Sequence, residues 1–403
     1  MTMPTLHGRS VIWAMCFAQL GSLLPHVVVP SVIAQFLIPD WRLSGGDAGL
    51  LAGSYAAGYM LAVPVLATLT DRIDARLILI AGSTLSGLAT LLFGIFAQGL
   101  WSGAVFWCLA GIGFAGAYMP GLKALTDRLA PGDASRAVTL YTSSFSLGVG
   151  LSFLVSQIVA ESWNWRAAFI VTSAGPLVMI AVCAMLRPIR PKPSGGRLLD
   201  FAPVVRNKPA MGFVLGYGAH CFELYGIRTW LVAFWTFVVA NNANSAILSP
   251  IAVSFLFSVI AMPSSILGNE LALKIGRHRA ITLVMTGSAT IAILIALFAG
   301  KTALFLLPLI LLYAVTVNAD SGALTSGMTM AAHPQNRGAT MAMHSTIGFG
   351  FAALGSWGVG MGLDVAGGPL SAAGWSIAFG MLAAGILLGP LALLWSRSSS
   401  PSQ

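Results

Sequence analysis

Apolar stretches long enough to cross a membrane recur along almost the whole chain. A helix of about 20 apolar residues spans the hydrocarbon core of a bilayer, and we count twelve such stretches in the 403 residues. They fall at 10–38, 47–69, 76–97, 101–125, 137–160, 165–187, 209–240, 246–272, 279–299, 303–331, 338–362 and 370–396. Only 8% of the residues are charged and mean hydropathy is +0.85, well outside the range of soluble domains. The sequence therefore predicts an all-α membrane protein.

The twelve stretches divide into six and six. Between the sixth and seventh lies RPIRPKPSGGRLLDFAPVVRNKP, which is rich in Pro, Gly and basic residues as linkers are. The expected organisation is a first bundle at 1–187, a basic linker at 188–208 and a second bundle at 209–403. At an offset of about 201 residues the loop at 69–76 aligns with 271–279, and WRAAF aligns with WSIAF. Such echoes are typical of a duplicated six-helix unit.

The distribution of positive charge predicts the topology. Seventeen of the 21 Lys and Arg residues fall on the side of the linker and the two termini, so we expect that side to be cytoplasmic. The net charge of +9 is explained by this bias, without a nucleic-acid partner. We expect the first helix to be retained rather than cleaved as a signal peptide. Arg outnumbers Lys by 16 to 5, which favours a bacterial protein and hence the inner membrane.

The loop ATLTDRIDAR at 67–76 resembles the G-x-L-A-D-R-x-G-R-K loop of the major facilitator superfamily. The resemblance implies two pseudo-symmetric six-helix bundles that work by alternating access. It also implies a cytoplasmic conformational lock, for which the candidates are Asp71, Arg72, Arg76, Arg136 and Arg337. The second copy has Leu273 where the Asp belongs, so a one-sided lock is expected. The alternative is that these charges only set the topology.

Two departures from the family's drug/proton antiporters make a multidrug antiporter less favoured. The fifth helix reads LGVGLSFLVSQIVAES, which lacks that subfamily's Gly-Pro and Gly-Gly pairs. On the fourth helix Trp107 stands where an Arg is usual, four residues before Gly111.

In the family, helices 1, 4, 7 and 10 line the central cavity. On helix 1, Gln19, Ser22 and His26 share a face, and Pro25 and Pro30 are expected to bend the helix around His26. The alternative is that His26 only bonds a freed backbone carbonyl. Helix 4 offers Tyr118.

Helix 7 contains three ionisable residues within GYGAHCFELYGIRTW. A regular helix places Tyr217, His220 and Arg228 in one arc and Glu223 about 60° further round. Charged groups at such depth face a cavity or a partner and are functional candidates by default. Arg228 would bind an anionic group, whereas His220 and Glu223 would carry a coupling proton. The alternative is a set of structural ion pairs.

On helix 10, Asn318, Ser321 and Thr325 share a face, and Asp320 points about 160° away from Asn318. Both can reach the cavity only if the helix is distorted, which Gly322 would allow. Asp320 is a further proton-coupling candidate, unless it only pairs with a residue such as His344 on helix 11.

We predict a monomeric, proton-coupled secondary transporter for a small organic anion, with symport as the expected mode, no cofactor and no resident metal. The candidate substrate residues are Arg228, His26, Gln19, Tyr217, Tyr118, Asn318, Ser321 and Thr325, and the proton-coupling candidates are Glu223, His220, Asp320 and His344. One alternative is an exporter of neutral or cationic amphiphiles. A remote one is a copper importer, based on the Met- and His-rich segment 328–344. Enzyme motifs and a Walker sequence are lacking, and the four cysteines show no paired spacing.

Overall fold

The structure is a computed structural model that describes residues 9–129, 131–191, 201–242 and 248–397, apart from the side chains of 131–136 and 139. Every secondary-structure element within these residues is helical. Eleven helices are long and apolar enough to cross a membrane, and the shorter apolar helix Val28–Trp41 completes the first crossing. The prediction of an all-α membrane protein with twelve transmembrane helices is confirmed.

We number the membrane helices α1 to α12 in chain order. They are α1 (Arg9–Ser22 and Val28–Trp41), α2 (Gly45–Leu69), α3 (Ala75–Phe96), α4 (Leu100–Thr126), α5 (Pro131–Ser162), α6 (Trp165–Ala184), α7 (Lys208–Ala240), α8 (Pro250–Ile275), α9 (Arg277–Phe298), α10 (Ala303–Ala319 and Ser321–Ala331), α11 (Arg337–Val365) and α12 (Ala372–Arg397). A short helix, Ala202–Arg206, precedes α7.

Helix α1 is interrupted where the prolines predict a bend. Its first segment ends at Ser22 and the second begins at Val28. Between them the backbone makes tight turns, with the N–H of His26 donating to the carbonyl of Leu23 at 2.9 Å. Pro25 has no N–H to donate and breaks the regular ladder. The interruption places His26 at the centre of the bundle, where it is only 3% exposed.

Helix α10 is also interrupted, at Asp320. On an unbroken helix Asn318 and Asp320 would point about 160° apart. The break lies two residues before Gly322, where the sequence would allow a distortion, but neither side chain lines the cavity between the halves. It leaves both side chains buried, at 5% and 2% exposure.

The helices pack as two sets of six. In the first half α2 and α3 both pack against α4, and in the second half α11 and α12 both pack against α7. Contacts between the halves are made mainly by α2 with α11 and by α5 with α8. The domain boundaries at 1–187, 188–208 and 209–403 stay a prediction, since residues 192–200 of the linker lie outside the described residues.

The two halves meet most closely at one end of the molecule. We call the end where α6 stops and α7 starts the linker end, and the opposite end, where α2 starts and α11 stops, the far end. Gly49 of α2 packs against the backbone of Ser356 on α11. Further towards the middle, the rings of Tyr59 and Phe349 stack with centroids 3.7 Å apart. The far end is therefore closed by α2 and α11.

Close packing of α4 against α2 gives a first prediction. A Cβ on Gly111 would overlap the backbone carbonyl of Tyr55, so Gly111→Ala is expected to destabilise the protein by about 1–3 kcal/mol. A Cβ on Gly287 of α9 would meet no neighbouring atom within 4 Å. Gly287→Ala is the matched control and should be neutral or stabilising by about 0.5–1 kcal/mol. Melting temperatures of the purified proteins in detergent would show the difference, and equal values would contradict the packing.

Candidate functional site

A small cavity lies between the two halves, on the linker side of the closed far end. It is lined by His26, Val27, Pro30, Ala52, Tyr55, Ala56, Trp107, Tyr225, Arg228, Thr229 and Ser356, and its volume is about 20 Å³. That volume holds about one water molecule. The cavity is therefore nearly closed in this conformation, and a larger ligand requires the halves to move.

Two side chains of the first half that line the cavity have polar atoms without a hydrogen-bond partner among the described residues. The ring of His26 bonds the hydroxyl of Tyr55 through Nδ1 at 3.2 Å, whereas Nε2 has no partner among the described residues. The indole Nε1 of Trp107 is likewise buried without a partner there, and its ring packs against Tyr55 at 4.8 Å. His26 and Trp107 both line the cavity, so each has an unused polar group for a ligand there, and an indole N–H can only donate.

Arg228 supplies the positive charge of the cavity. Its guanidinium lies over the ring of Tyr225, 5.0 Å from the centroid. The side chain is half-buried, and none of the ion pairs found in the described ranges includes it. A guanidinium that is partly desolvated and has no carboxylate partner favours the binding of an anion.

A second polar group lies deeper in the second half. His220 Nδ1 and Asp320 Oδ1 are 2.7 Å apart, and both side chains are 2% exposed. The distance is that of an ion pair, although neither atom has an aligned hydrogen bond within the described residues. The interruption of α10 brings Asp320 to α7. Asp320 thus pairs with His220 rather than with His344.

Glu223 points to a different set of helices. It is fully buried, and its Oε1 accepts hydrogen bonds from Ser288 of α9 at 2.8 Å and Tyr313 of α10 at 2.9 Å. Its Oε2 has no partner among the residues described. Glu223 and Arg228 do not form an ion pair among the described residues, so the two side chains have separate surroundings.

An aromatic stack flanks the His220–Asp320 pair. The ring of Tyr217 lies 3.8 Å from that of His344 and 5.5 Å from that of His220. Thr325 Oγ1 lies 3.5 Å from His344 Nε2. The proton-coupling candidates His220, Asp320 and His344 are thereby brought into one buried cluster, together with two residues predicted to bind substrate.

The remaining substrate candidates do not line the cavity around Arg228. Gln19 accepts a hydrogen bond from Ser144 of α5 at 3.1 Å. Asn318 donates to the carbonyl of Ala314 at 2.8 Å within its own helix. Ser321 contacts Ser265 of α8 at 2.8 Å, and Tyr118 stacks on Phe114 at 6.0 Å. Their roles in substrate binding stay predictions.

At the loop between α2 and α3 the ionic contacts centre on Asp74 rather than on Asp71. Asp74 caps α3 and lies 3.0 Å from Nη2 of Arg128. Arg128 in turn donates to the carbonyl of Arg187 at 2.7 Å, and Asp74 accepts from the N–H of Ile189 at 2.9 Å. This network ties the loop to the start of the linker. Asp74 occupies a position where the family motif has Gly, so the motif gave no signal for it.

The predicted lock residues are spread over the linker end. Arg76 donates to the carbonyl of Leu186 at 2.8 Å, whereas Arg72 and Arg337 are exposed. The side chain of Arg136 lies outside the described residues. Asp71 takes part in none of the ion pairs of the described segments. The lock stays a prediction.

The network of Asp74 predicts a dependence of stability on pH. Burial acts to raise the pKa of Asp74, but hydrogen bonds from Ile189, Arg76 and Arg128 outweigh it and hold the pKa below its ordinary value. The stabilisation is therefore complete above the unfolded-state pKa of about 3.9 and is lost as the pH falls through the lower folded-state pKa. We expect the melting temperature of the wild type to fall more steeply below about pH 4 than that of Asp74→Asn.

Asp71→Asn is the matched control for that measurement. It should keep the steep fall of the wild type. If Asp71→Asn removes the pH dependence and Asp74→Asn does not, Asp71 is the ionic residue of this loop, as the family resemblance implies.

The copper hypothesis gains no support from the geometry. Within the described part of the chain no three His, Cys, Asp or Glu side chains converge as metal ligands. His333 lies exposed before α11, whereas His344 is buried within it.

Twelve membrane helices in two halves, with a polar cavity where the halves meet, define a membrane transport protein. The chain matches the Major Facilitator Superfamily over residues 14–356, and it belongs to that family. A bacterial homolog of the human lysosomal transporter Spinster has the same fold, with a TM-score of 0.74 at 17% identity over 96% of this chain and 95% of that one. The nucleoside transporter NupG matches with a TM-score of 0.73 at 14% identity, over 96% of this chain and 99% of its own.

Sequence relatives are also transporters. The chain is 24% identical to the sphingosine-1-phosphate transporter SPNS2 of Danio rerio over 283 residues, which is 65% of this chain and 56% of that protein. It is 32% identical to sugar efflux transporter A of Dickeya chrysanthemi over 154 residues, 37% of each chain. The matched regions thus cover between about a third and a little over half of the length of such relatives.

Proposed function

We propose that the protein is a secondary active transporter that carries a small organic anion by alternating access, coupled to protons. Arg228 is the observation that supports the anion. It is a permanently charged side chain in a cavity between the halves, and it has no carboxylate partner among the described residues. The same cavity is lined by Trp107, whose indole N–H has no partner among the described residues. A substrate carboxylate or phosphate would accept hydrogen bonds from these donors.

The buried acidic groups of the second half support proton coupling. A carboxylate fully removed from water, such as Glu223, is a group whose charge state can follow the conformation of its surroundings. The His220–Asp320 pair is a second such group. In the proposed cycle the substrate neutralises Arg228, and the proton is carried by a separate buried group, either Glu223 or the His220–Asp320 pair.

The proposal extends to the setting of the protein. Positive charge at the linker end supports cytoplasmic termini. We also propose that the protein lies in a bacterial inner membrane and works as a monomer. We propose transport alone and no enzymatic activity.

An amphiphilic cargo is the second candidate. A cleft of about 390 Å³ opens between α1, α5 and α8 towards the linker end, lined by Trp13, Cys16, Phe17, Leu20, Leu140, Ser143, Ser144, Leu147, Val259 and Met262. An almost wholly apolar cleft of this size accepts a hydrocarbon chain rather than a small ion. The relative named as a sphingosine-1-phosphate transporter adds to this candidate, because such a cargo would combine an apolar chain with an anionic group.

Matched ligand pairs would test the proposal. We would measure thermal stabilisation of the purified wild type by carboxylates and organic phosphates, each against its neutral amide or alcohol, with cationic amphiphiles as a third set. A ligand at 100 times its dissociation constant stabilises by about 2.7 kcal/mol. Stabilisation by anions alone is expected. Stabilisation by neutral or cationic compounds alone would overturn the anion proposal.

A further inference from the structure

Asp364 connects the two halves at the far end. It lies one residue before the end of α11, and its side chain is exposed. Its Oδ1 accepts a hydrogen bond from the backbone N–H of Gly45, and its Oδ2 accepts one from the N–H of Gly46, both at 2.7 Å. These are the first two residues of α2. A carboxylate of the second half therefore caps a helix of the first.

The chemistry of this contact is favourable. The first N–H groups of a helix have no partner within the helix, and the helix dipole places partial positive charge there. Bonds from such groups to a carboxylate are charge-assisted and stronger than neutral ones. Ser44 and Asp47 form a separate capping box within α2, so the N–H of Asp47 is satisfied locally and Asp364 takes the two groups that remain.

The contact also depends on the small residues beside it. A Cβ on Gly45 would overlap both Asp364 and the carbonyl of Gly360, and a Cβ on Gly360 would overlap the carbonyl of Gly45. The helices can thus come close enough for both carboxylate oxygens to reach the backbone of α2.

We propose that Asp364 is the latch that holds the far end closed, and that its bonds to Gly45 and Gly46 break when the protein opens to that side. The same two helices carry Tyr55 and Ser356 of the cavity, so separating α2 from α11 uncovers the cavity from the far end. Because Asp364 is exposed, water can replace its two partners when the helices part, which makes the contact reversible.

The distance between the halves at the far end is the direct readout. We would place spin labels at Gln98, after α3, and Lys301, after α9, which are exposed residues of opposite halves, in the chain with its four native cysteines replaced. The distance distribution would be measured by pulsed electron resonance without substrate. Loss of two charge-assisted hydrogen bonds is expected to raise the ratio of open to closed molecules about tenfold in Asp364→Ala. Asp364→Asn, which keeps one neutral acceptor, should show a smaller rise.

Asp47→Asn is the matched control, since it alters a carboxylate at the same helix terminus that does not bridge the halves. Its distance distribution should equal that of the wild type. Identical distributions for the wild type and Asp364→Ala would overturn the proposal, and so would equal shifts for the Asp47 and Asp364 variants. The measurement needs neither substrate nor proton gradient, so its outcome is independent of the proposed cargo.

Discussion

Replacing Arg228 with Ala is expected to weaken the binding of an anionic substrate by about 30-fold or more, since removing one partner of a desolvated charge pair costs about 2–5 kcal/mol. Arg228→Lys keeps the charge but loses the planar fork of donors, so an intermediate loss is expected. Affinities would be measured by thermal stabilisation with the anion that binds the wild type, and by uptake into proteoliposomes.

Arg166 is the control for a general effect of removing a membrane arginine. It donates to the carbonyls of Gly94 and Ala97 at 3.0 Å and stacks on Trp165, away from the cavity. Arg166→Ala should lower the melting temperature but leave the affinity unchanged. If Arg228→Ala binds the anion as the wild type does, the guanidinium is not a substrate ligand and the proposal loses its main support.

Helices were predictable from the sequence because a membrane helix satisfies its backbone within its own segment. The interruption of α1 was expected from Pro25 and Pro30, and a distortion of α10 was only allowed by Gly322. These are local effects. They depend on residues a few positions apart, which a sequence displays directly.

Side-chain partners were less predictable, because they come from distant parts of the chain. His220 and Arg228 share an arc of α7, but eight residues separate them by about 12 Å along the axis, and the structure gives them different surroundings. The partners of Glu223 on α9 and α10 have no signal in the sequence, since buried Ser and Tyr are common in membrane helices. Trp107 did have a signal in the sequence, because it stands where the fourth helix of related antiporters usually has an Arg.

The two ends of the molecule show the same limit. The family motif drew attention to Asp71 at the linker end, whereas the ionic contacts found there involve Asp74. At the far end no motif marked Asp364, because a single Asp at the end of an apolar helix reads as an ordinary boundary residue. Its role follows only once the start of α2 is known to lie against it.

Replacing Glu223 with Gln is expected to abolish proton-driven accumulation while leaving substrate binding nearly unchanged. Gln has the shape of the protonated acid, and its carbonyl can still accept from Ser288 and Tyr313, but it cannot release a proton. Each coupled proton contributes about tenfold accumulation for a pH gradient of one unit. The variant should lose this factor and keep substrate exchange across the membrane, which needs no net proton movement.

Asp320→Asn separates the two candidate proton sites. If the His220–Asp320 pair carries the proton, this variant loses the accumulation and Glu223→Gln keeps it, and if both groups are needed, both variants lose it. Glu270→Gln removes an exposed carboxylate of α8 and should accumulate substrate as the wild type does. Accumulation that follows the pH gradient in both the Glu223 and Asp320 variants would show that neither buried carboxylate carries the proton. The coupling would then have to lie in one of the histidines, such as His344 of the buried cluster or His26 of the cavity, or in the substrate itself.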